Sequence, residues 1–420
     1  MTALSNHWPL RALSDVCDLI TDGSHFSPKT VDAGYPYITV RDLNENGIDF
    51  ANCKFISQES FDELQRNGCR PIKGDILFSK DGTVGKVAQV LDDTQFVVLS
   101  SLAILRPNKD LITSEFLKLA LRSPMTLESA LGMKTGTALR RVVLRNLKTL
   151  EIPLPPLPEQ HRIVETLEDH LSRLDAALAD VKQAKLKAAQ FRRSLLQAAF
   201  TGNLGLDESS FLAEPPPHWS SMAVGELCGT VEKIDPANLG RDDFWYVDIG
   251  ALEPSSSSLE NVTKISTTNA PGRARQLIRS GDSIFATVRP YMKKVAYIAN
   301  EFDGQIASTG FCVLRPIQEK LHSKYLFYFL LSDQLLDQVL PLQRGVSYPA
   351  IRDKDLKNAY IPVPPIDEQN KIVELLEDHL SRLEASISLA DAMERQSNGL
   401  RRSLLQAAFT GQLTKEVVSV

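Results

Sequence analysis

The sequence predicts an α+β chain: two pseudo-two-fold-related mixed α/β domains joined by two long helices packed as an antiparallel coiled coil. Three observations carry this. Residues 159–204 recur at 368–413 with a constant offset of 209, and 26 of the 46 positions are identical. Each copy has mainly apolar or small residues at alternating steps of three and four, the pattern of a helix that needs a partner helix. Before each copy lies a stretch of short β-rich runs separated by turn signals. A fixed-offset repeat of this kind governs the whole fold.

The boundaries follow from the repeat. Residues 1–152 form the first domain, 153–204 a linker and the first long helix, 205–361 the second domain, and 362–420 the second linker and helix. In the first domain, strands are expected around Tyr35–Val40, Gly74–Ser79, Gly85–Val90 and Phe96–Leu99. Asp22-Gly23, Asn46-Gly47 and Asp81-Gly82 are dipeptides that tolerate positive φ and close tight turns. An amphipathic helix is expected at Ser114–Arg122 with Ser114 as its N-cap. The run Leu154-Pro155-Pro156-Leu157-Pro158 is an extended connector into the first long helix.

In that helix the expected seam is Ile163, Leu167, His170, Leu174, Ala177, Val181, Ala184, Ala188, Phe191, Leu195 and Ala198. The second helix offers Ile372, Leu376, His379, Leu383, Ser386, Ala390, Met393, Ser397, Leu400, Leu404 and Ala407. Glycine just past the last turn ends both, at Thr201-Gly202 and Thr410-Gly411. Residues 159–200 make a rod roughly 60 Å long at 1.5 Å per residue. Identity gathers at the ends, in EDHLSRL and RRSLLQAAFTG, and fades between them. That suits antiparallel packing, in which each end pairs the start of one helix with the finish of the other. The ends are expected to form the seam and a partner-docking surface, with the middle acting as spacing.

The second domain repeats the first more loosely. Gly74-Asp75-Ile76-Leu77-Phe78 returns as Gly281-Asp282-Ser283-Ile284-Phe285, Leu105-Arg106-Pro107 as Leu314-Arg315-Pro316, and Trp8…Cys17 as Trp219…Cys228. One scaffold with diverged faces suggests two related tasks on different targets.

Composition narrows the chemistry. Five cysteines with no CxxC pair argue against a zinc ribbon or a disulfide framework and fit a reducing cytoplasm. No signal peptide and no long apolar span are evident, so a cytoplasmic location is expected. Gly82-Thr83-Val84-Gly85-Lys86 lacks the spacing of a phosphate loop. No nucleophile elbow, HExxH or dinucleotide fingerprint appears, and the seven histidines have no metal-ligand spacing. No catalytic, cofactor or metal residue is assigned. His170 and His379 fall at equivalent seam positions and are read as packed histidines.

The net charge is −5, so any basic footprint is local. Residues 129–150 carry Lys134, Arg140, Arg141, Arg145 and Lys148 without an acid. Residues 261–299 carry Lys264, Arg273, Arg275, Arg279, Arg289, Lys293 and Lys294 against Asp282 alone. Basic residues interleaved with turn glycines and tyrosines suit phosphate contact and base-edge readout. The candidate nucleic-acid residues are Ser24, His25, Arg41, Lys80, Lys86, Lys134, Arg140, Arg141, Arg273, Arg275, Arg289, Tyr291, Lys293, Arg344 and Tyr348. For each of the loop residues, turn formation or a solvated charge is the competing role.

The whole chain resembles the specificity subunits of type I restriction-modification enzymes. The resemblance rests on Asp22-Gly23-Ser24-His25, Gly74–Ser79 followed by Gly82–Val87, Leu105-Arg106-Pro107, and Gly136–Arg140 with Ile152–Pro156 and Glu159-Gln160. The last block recurs as Gly345–Tyr348, Ile361–Pro365 and Glu368-Gln369. It implies two target recognition domains, each reading half of a bipartite DNA sequence, with the helix pair as a ruler. It also implies two modification subunits that methylate adenine with S-adenosylmethionine, and restriction subunits that use ATP and Mg, with no cofactor in this chain. Asp22-Gly23 has no clear equivalent near Thr230–Lys233, and Lys80-Asp81-Gly82 is replaced near Val288-Arg289-Pro290, so contact roles do not transfer between the halves. Three other readings compete: a coiled-coil scaffold, a fused DNA-modifying enzyme, and an orphan DNA-binding subunit without a restriction partner.

Overall fold

The structure is a computed structural model that describes residues 8–44, 47–133, 141–204, 215–252 and 258–413. Its chain divides into two compact units, Met1–Val181 with Ala392–Val420, and Lys182–Asp391. Each long helix, Leu157–Thr201 and Ile366–Phe409, therefore contributes to both units. Among the described residues no helix is long and apolar enough to cross a membrane.

The first unit is built on an antiparallel sheet in the order Cys17–Asp22, Leu102–Pro107, Ile76–Ser79, Val87–Gln89. Leu77 lies opposite both Ile104 and Ala88, and the central strands are buried on both faces. The second unit repeats it with Cys228–Gly229, Phe311–Pro316, Ser283–Ala286 and Val295–Tyr297, Ile284 lying opposite Val313 and Ala296. The recurring Gly-Asp and Leu-Arg-Pro motifs fix these sheets. Arg106 grips Asp75 through two hydrogen bonds of 2.9 Å, and Arg315 grips Asp282 at 2.9 and 2.8 Å. Both carboxylates are buried, so the paired geometry offsets their desolvation.

A second, mixed sheet holds the differences. In the first unit it runs Val97–Val98, Tyr35–Ile38, Lys54–Ile56, Thr30–Val31; in the second, Thr263–Ser266, Asp243–Val247, Gln305–Ser308, Ala274–Ile278. Where the first unit follows Lys54–Ile56 with the helix Gln58–Arg66, the second has the outer strand Ala274–Ile278. The helix at Ser114–Arg122 forms as expected, but Thr113 is its N-cap, accepting from the Phe116 N–H. Ser114 instead donates its hydroxyl to the Gly74 carbonyl at 2.7 Å. Gly23 does not need positive φ; a Cβ there would meet the Val98 carbonyl oxygen at 2.3 Å.

The glutamines of the Glu-Gln pairs clamp the helix starts. Gln160 is fully buried: its Nε2 donates to the Leu111 and Pro155 carbonyls, and its Oε1 accepts from the Thr113 N–H. Gln369 does the same with Lys320, Pro364 and His322.

In each unit the helix segments run antiparallel. In the second, Lys185 pairs with Asp391 and Phe191 stands edge-on to His379 at 6.5 Å; in the first, Asp175 pairs with Arg401 while Leu171 and Leu405 line one cleft. The burial pattern shifts half of the expected seam by one place. Leu171, Leu178, Lys185, Arg192 and Ala199 turn inward where His170, Ala177, Ala184, Phe191 and Ala198 were expected, and His170 is exposed. The second helix shifts alike, with Leu380, Ile387, Arg401 and Ala408 inward. Leu174, Val181, Ala188 and Leu195 keep their expected places. One face of the RRSLLQAAFTG ends is taken up by the domain cores. Leu405, Ala408 and Phe409 sit in the first unit's core, and Leu196, Ala199 and Phe200 in the second's, where Phe200 meets Tyr325 and Phe329.

Candidate nucleic-acid interface

In the second unit, residues 287–294 join two strands of the core sheet. Arg289 (φ 52°) and Lys293 (φ 47°) are the non-glycine residues with positive φ among those described. A left-handed L-residue costs about 1–2 kcal/mol, so the surroundings must hold this turn. The Arg289 N–H donates to the Pro349 carbonyl at 2.7 Å, and the Ile351 N–H to Thr287 at 2.9 Å. These bonds stitch the turn to residues 343–351, where Gly345 (φ 90°) bends the chain. The Lys293 ammonium donates to the Leu331 carbonyl (2.8 Å) and to Asp333 (2.7 Å), and Asp333 also receives Arg193 of the first long helix. Burial works to raise the Asp333 carboxyl, but Lys293 and Arg193 outweigh it and hold the group below its ordinary value.

The held turn presents Arg289 and Tyr291 outward. The Arg289 guanidinium lies over the Tyr348 ring, 5.2 Å from its centroid, and both residues are exposed. Such stacking is worth about 0.5–1 kcal/mol at an exposed site and fixes the plane of the arginine fork, the form that reads guanine or grips phosphate. Tyr291 is exposed beside it, and Arg344 is exposed while bonding Asp355 at 3.1 Å. Arg289, Tyr291, Lys293, Arg344 and Tyr348 thus belong to one constellation. Arg273 and Arg275 lie apart from it, at the outer strand of the other sheet; Arg275 donates to the Ala274 carbonyl and Arg273 is exposed.

The first unit builds the equivalent turn, residues 80–86, differently. It is one residue shorter, and glycine occupies both left-handed positions, Gly82 (φ 68°) and Gly85 (φ 96°). Lys80 is only 4% exposed, its ammonium 3.3 Å from Asp22 and 3.8 Å from Asp81. Ser24 is equally buried: its hydroxyl donates to the Phe26 carbonyl at 2.5 Å and accepts the Phe26 N–H at 3.1 Å. This local ring closes a turn whose exposed corner is His25 and Phe26. Phe26, with 65% of its surface exposed, was missed by the sequence reading, since a lone aromatic in a turn carries no pattern.

Lys86 also turns inward. Its ammonium donates to the carbonyls of Val40 (3.1 Å) and Leu43 (2.7 Å), ends of a short helical turn. Lys294 does the same at the Ile249 carbonyl, 3.0 Å away. A lysine kept at one fold position with one partner type in both domains is a strap between the two sheets. Arg41 and Arg141 are exposed, while Lys134 and Arg140 lie outside the described residues.

A family model described as the type I restriction modification DNA specificity domain matches residues 6–187 and 219–389. The chain belongs to this family. The EcoBI specificity subunit of Escherichia coli is 25% identical over 311 residues, covering 69% of this chain and 64% of that subunit. The putative MjaX specificity subunit of Methanocaldococcus jannaschii is 23% identical over 433 residues, 97% of this chain and 93% of its own. The fold agrees with a chain from a structure titled for complex assembly and conformational transition of the type I R-M system. That match has a TM-score of 0.72 at 21% identity and covers 98% of this chain and 100% of the other. The HsdS subunit from Thermoanaerobacter tengcongensis gives 0.54 at 21% identity, with 97% and 98% covered. The two segments of the family match fall one on each domain-plus-helix repeat.

Proposed function

We propose that this specificity subunit reads a bipartite DNA sequence, one half with each domain, the helix pair setting the spacer length. The observation that carries the reading is the duplication itself. One sheet scaffold, with its Asp–Arg pair, lysine strap and glutamine clamp, occurs twice, while the turn at one fixed place carries Lys80 and glycines in one copy and Arg289 and Tyr291 in the other. Duplicating the scaffold while changing the presented groups gives two specificities on one duplex.

The exposed part of this set, His25, Arg41, Arg141, Arg273, Arg289, Tyr291, Arg344 and Tyr348, is assigned to DNA. Ser24, Lys80, Lys86 and Lys293 shape the turns that present it. The helices dock two modification subunits, and restriction subunits join that core. Methyl transfer from S-adenosylmethionine, and any ATP- and Mg-dependent step, is assigned to those partners rather than to this chain.

The test is a matched insertion of one heptad in both helices, near Lys182–Ala188 and at the positions 209 later. Seven residues add about 10 Å. At 3.4 Å per base pair, the methylated motif should keep both half-sequences and gain a spacer of about three base pairs. A motif with unchanged spacing, mapped by long-read methylation sequencing, removes the helix pair from the measuring role.

A further inference from the structure

The turn that presents Arg289 and Tyr291 is held from one side by a single carboxylate. Asp333 stands at the first position of the helix Asp333–Val339, whose N-cap, Ser332, already satisfies the Leu335 N–H. The carboxylate is therefore not needed as a cap. It takes the Lys293 ammonium at 2.7 Å and Arg193 from the long helix. Lys293 is itself a left-handed residue, and its ammonium also donates to the Leu331 carbonyl at 2.8 Å. The first unit has neither part of this device: Gly85 stands at the left-handed position and Pro124 opens the equivalent helix.

We propose that Asp333 is a positioning residue for DNA readout by the second domain, its carboxylate fastening the left-handed Lys293 turn, and so Arg289 and Tyr291, to the end of the first long helix. The proposal rests on the reading that the second domain recognises one half-site. The carboxylate touches no DNA; it fixes where the arginine fork and the tyrosine stand. In the first domain glycine takes the matching left-handed place of the shorter turn with no carboxylate tied to it, and this supplies the decisive control.

The full chain, expressed with its own modification subunits, is compared as wild type, Asp333→Asn, Lys293→Gly, the double variant and Arg289→Ala by long-read methylation mapping of genomic DNA. Asp333→Asn should lower modification about tenfold, the scale of one lost bidentate base contact. It should relax base preference at the half-site that Arg289→Ala affects and leave the other half unchanged. Adding Lys293→Gly should restore the motif, because glycine holds the turn unaided. Loss at both half-sites, or loss that glycine does not rescue, means that Asp333 merely supports folding and overturns the proposal. So does a wild-type motif in Asp333→Asn. A methylated motif that does not depend on this chain at all would overturn the half-site reading as well, which separates the two failures.

Discussion

The two core-sheet turns solve one geometric problem by opposite means. Residues 80–86 put glycine at both left-handed positions and bury Lys80 against Asp22 and Asp81. Residues 287–294 put Arg289 and Lys293 there and restrain them with Tyr348, Asp333 and backbone bonds to residues 349 and 351. Glycine needs no restraint but presents nothing. A left-handed arginine needs several contacts, and in return a long polar side chain stands at a place most turns leave bare. On the proposed function, the shared scaffold fixes where a reader can be and the turn chemistry decides what is read.

That contrast can be broken in several ways. If the scaffold is truly shared, Asp75→Ala and Asp282→Ala should each destabilise their own unit by about 3 kcal/mol, the cost of stranding a half-buried arginine. Arg315 is the less exposed of the two arginines, so its unit should lose more. Hydrogen exchange of each core sheet reads this; a loss confined to one unit would end the equivalence. Lys86→Met and Lys294→Met should each cost about 1–2 kcal/mol and leave the salt dependence of DNA binding unchanged. A shallower salt slope in Lys86→Met would return that lysine to the phosphate face.

The turns themselves should respond with opposite signs. Gly85→Lys would place a Cβ 2.6 Å from Leu127 in a left-handed backbone and should destabilise by about 2 kcal/mol, whereas Lys293→Gly should be near neutral in stability and keep the wild-type motif. Chemical denaturation of the two variants decides this, and equal losses would erase the distinction. The smallest effect is in acid. The Asp333 carboxyl is held below its ordinary 3.8, so its contribution is fully present above that value and is lost as pH falls through the lower folded one. Wild type and Asp333→Asn should therefore begin to converge in the stability of the second unit below pH 3.8 and meet once pH has fallen through the lower folded value, with no counterpart at Pro124 in the first.

The helix seam shows how far pattern carries. Steps of three and four located the apolar face, and Leu174, Val181, Ala188 and Leu195 were placed correctly. An alanine- and leucine-rich helix offers two neighbouring registers, however, and choosing Leu171 over His170 required the packed partner. The repeated Glu-Gln, Gly-Asp and Leu-Arg-Pro motifs were visible as repeats. That they are a clamp and an ion pair depends on partners such as Leu111, His322 and Asp75, tens of residues away.

Sequence alone determined the duplication, the two long helices, two strands of the first core sheet and the family, because periodicity and near-identical segments are local and survive without coordinates. Tertiary structure decided which basic residues face outward. A lysine's charge is the same in any sequence window, but whether it meets a carbonyl, a carboxylate or solvent depends on chain brought in from elsewhere. Lys86 became a strap and Lys293 a clamp for that reason, and Arg289 was left free above Tyr348.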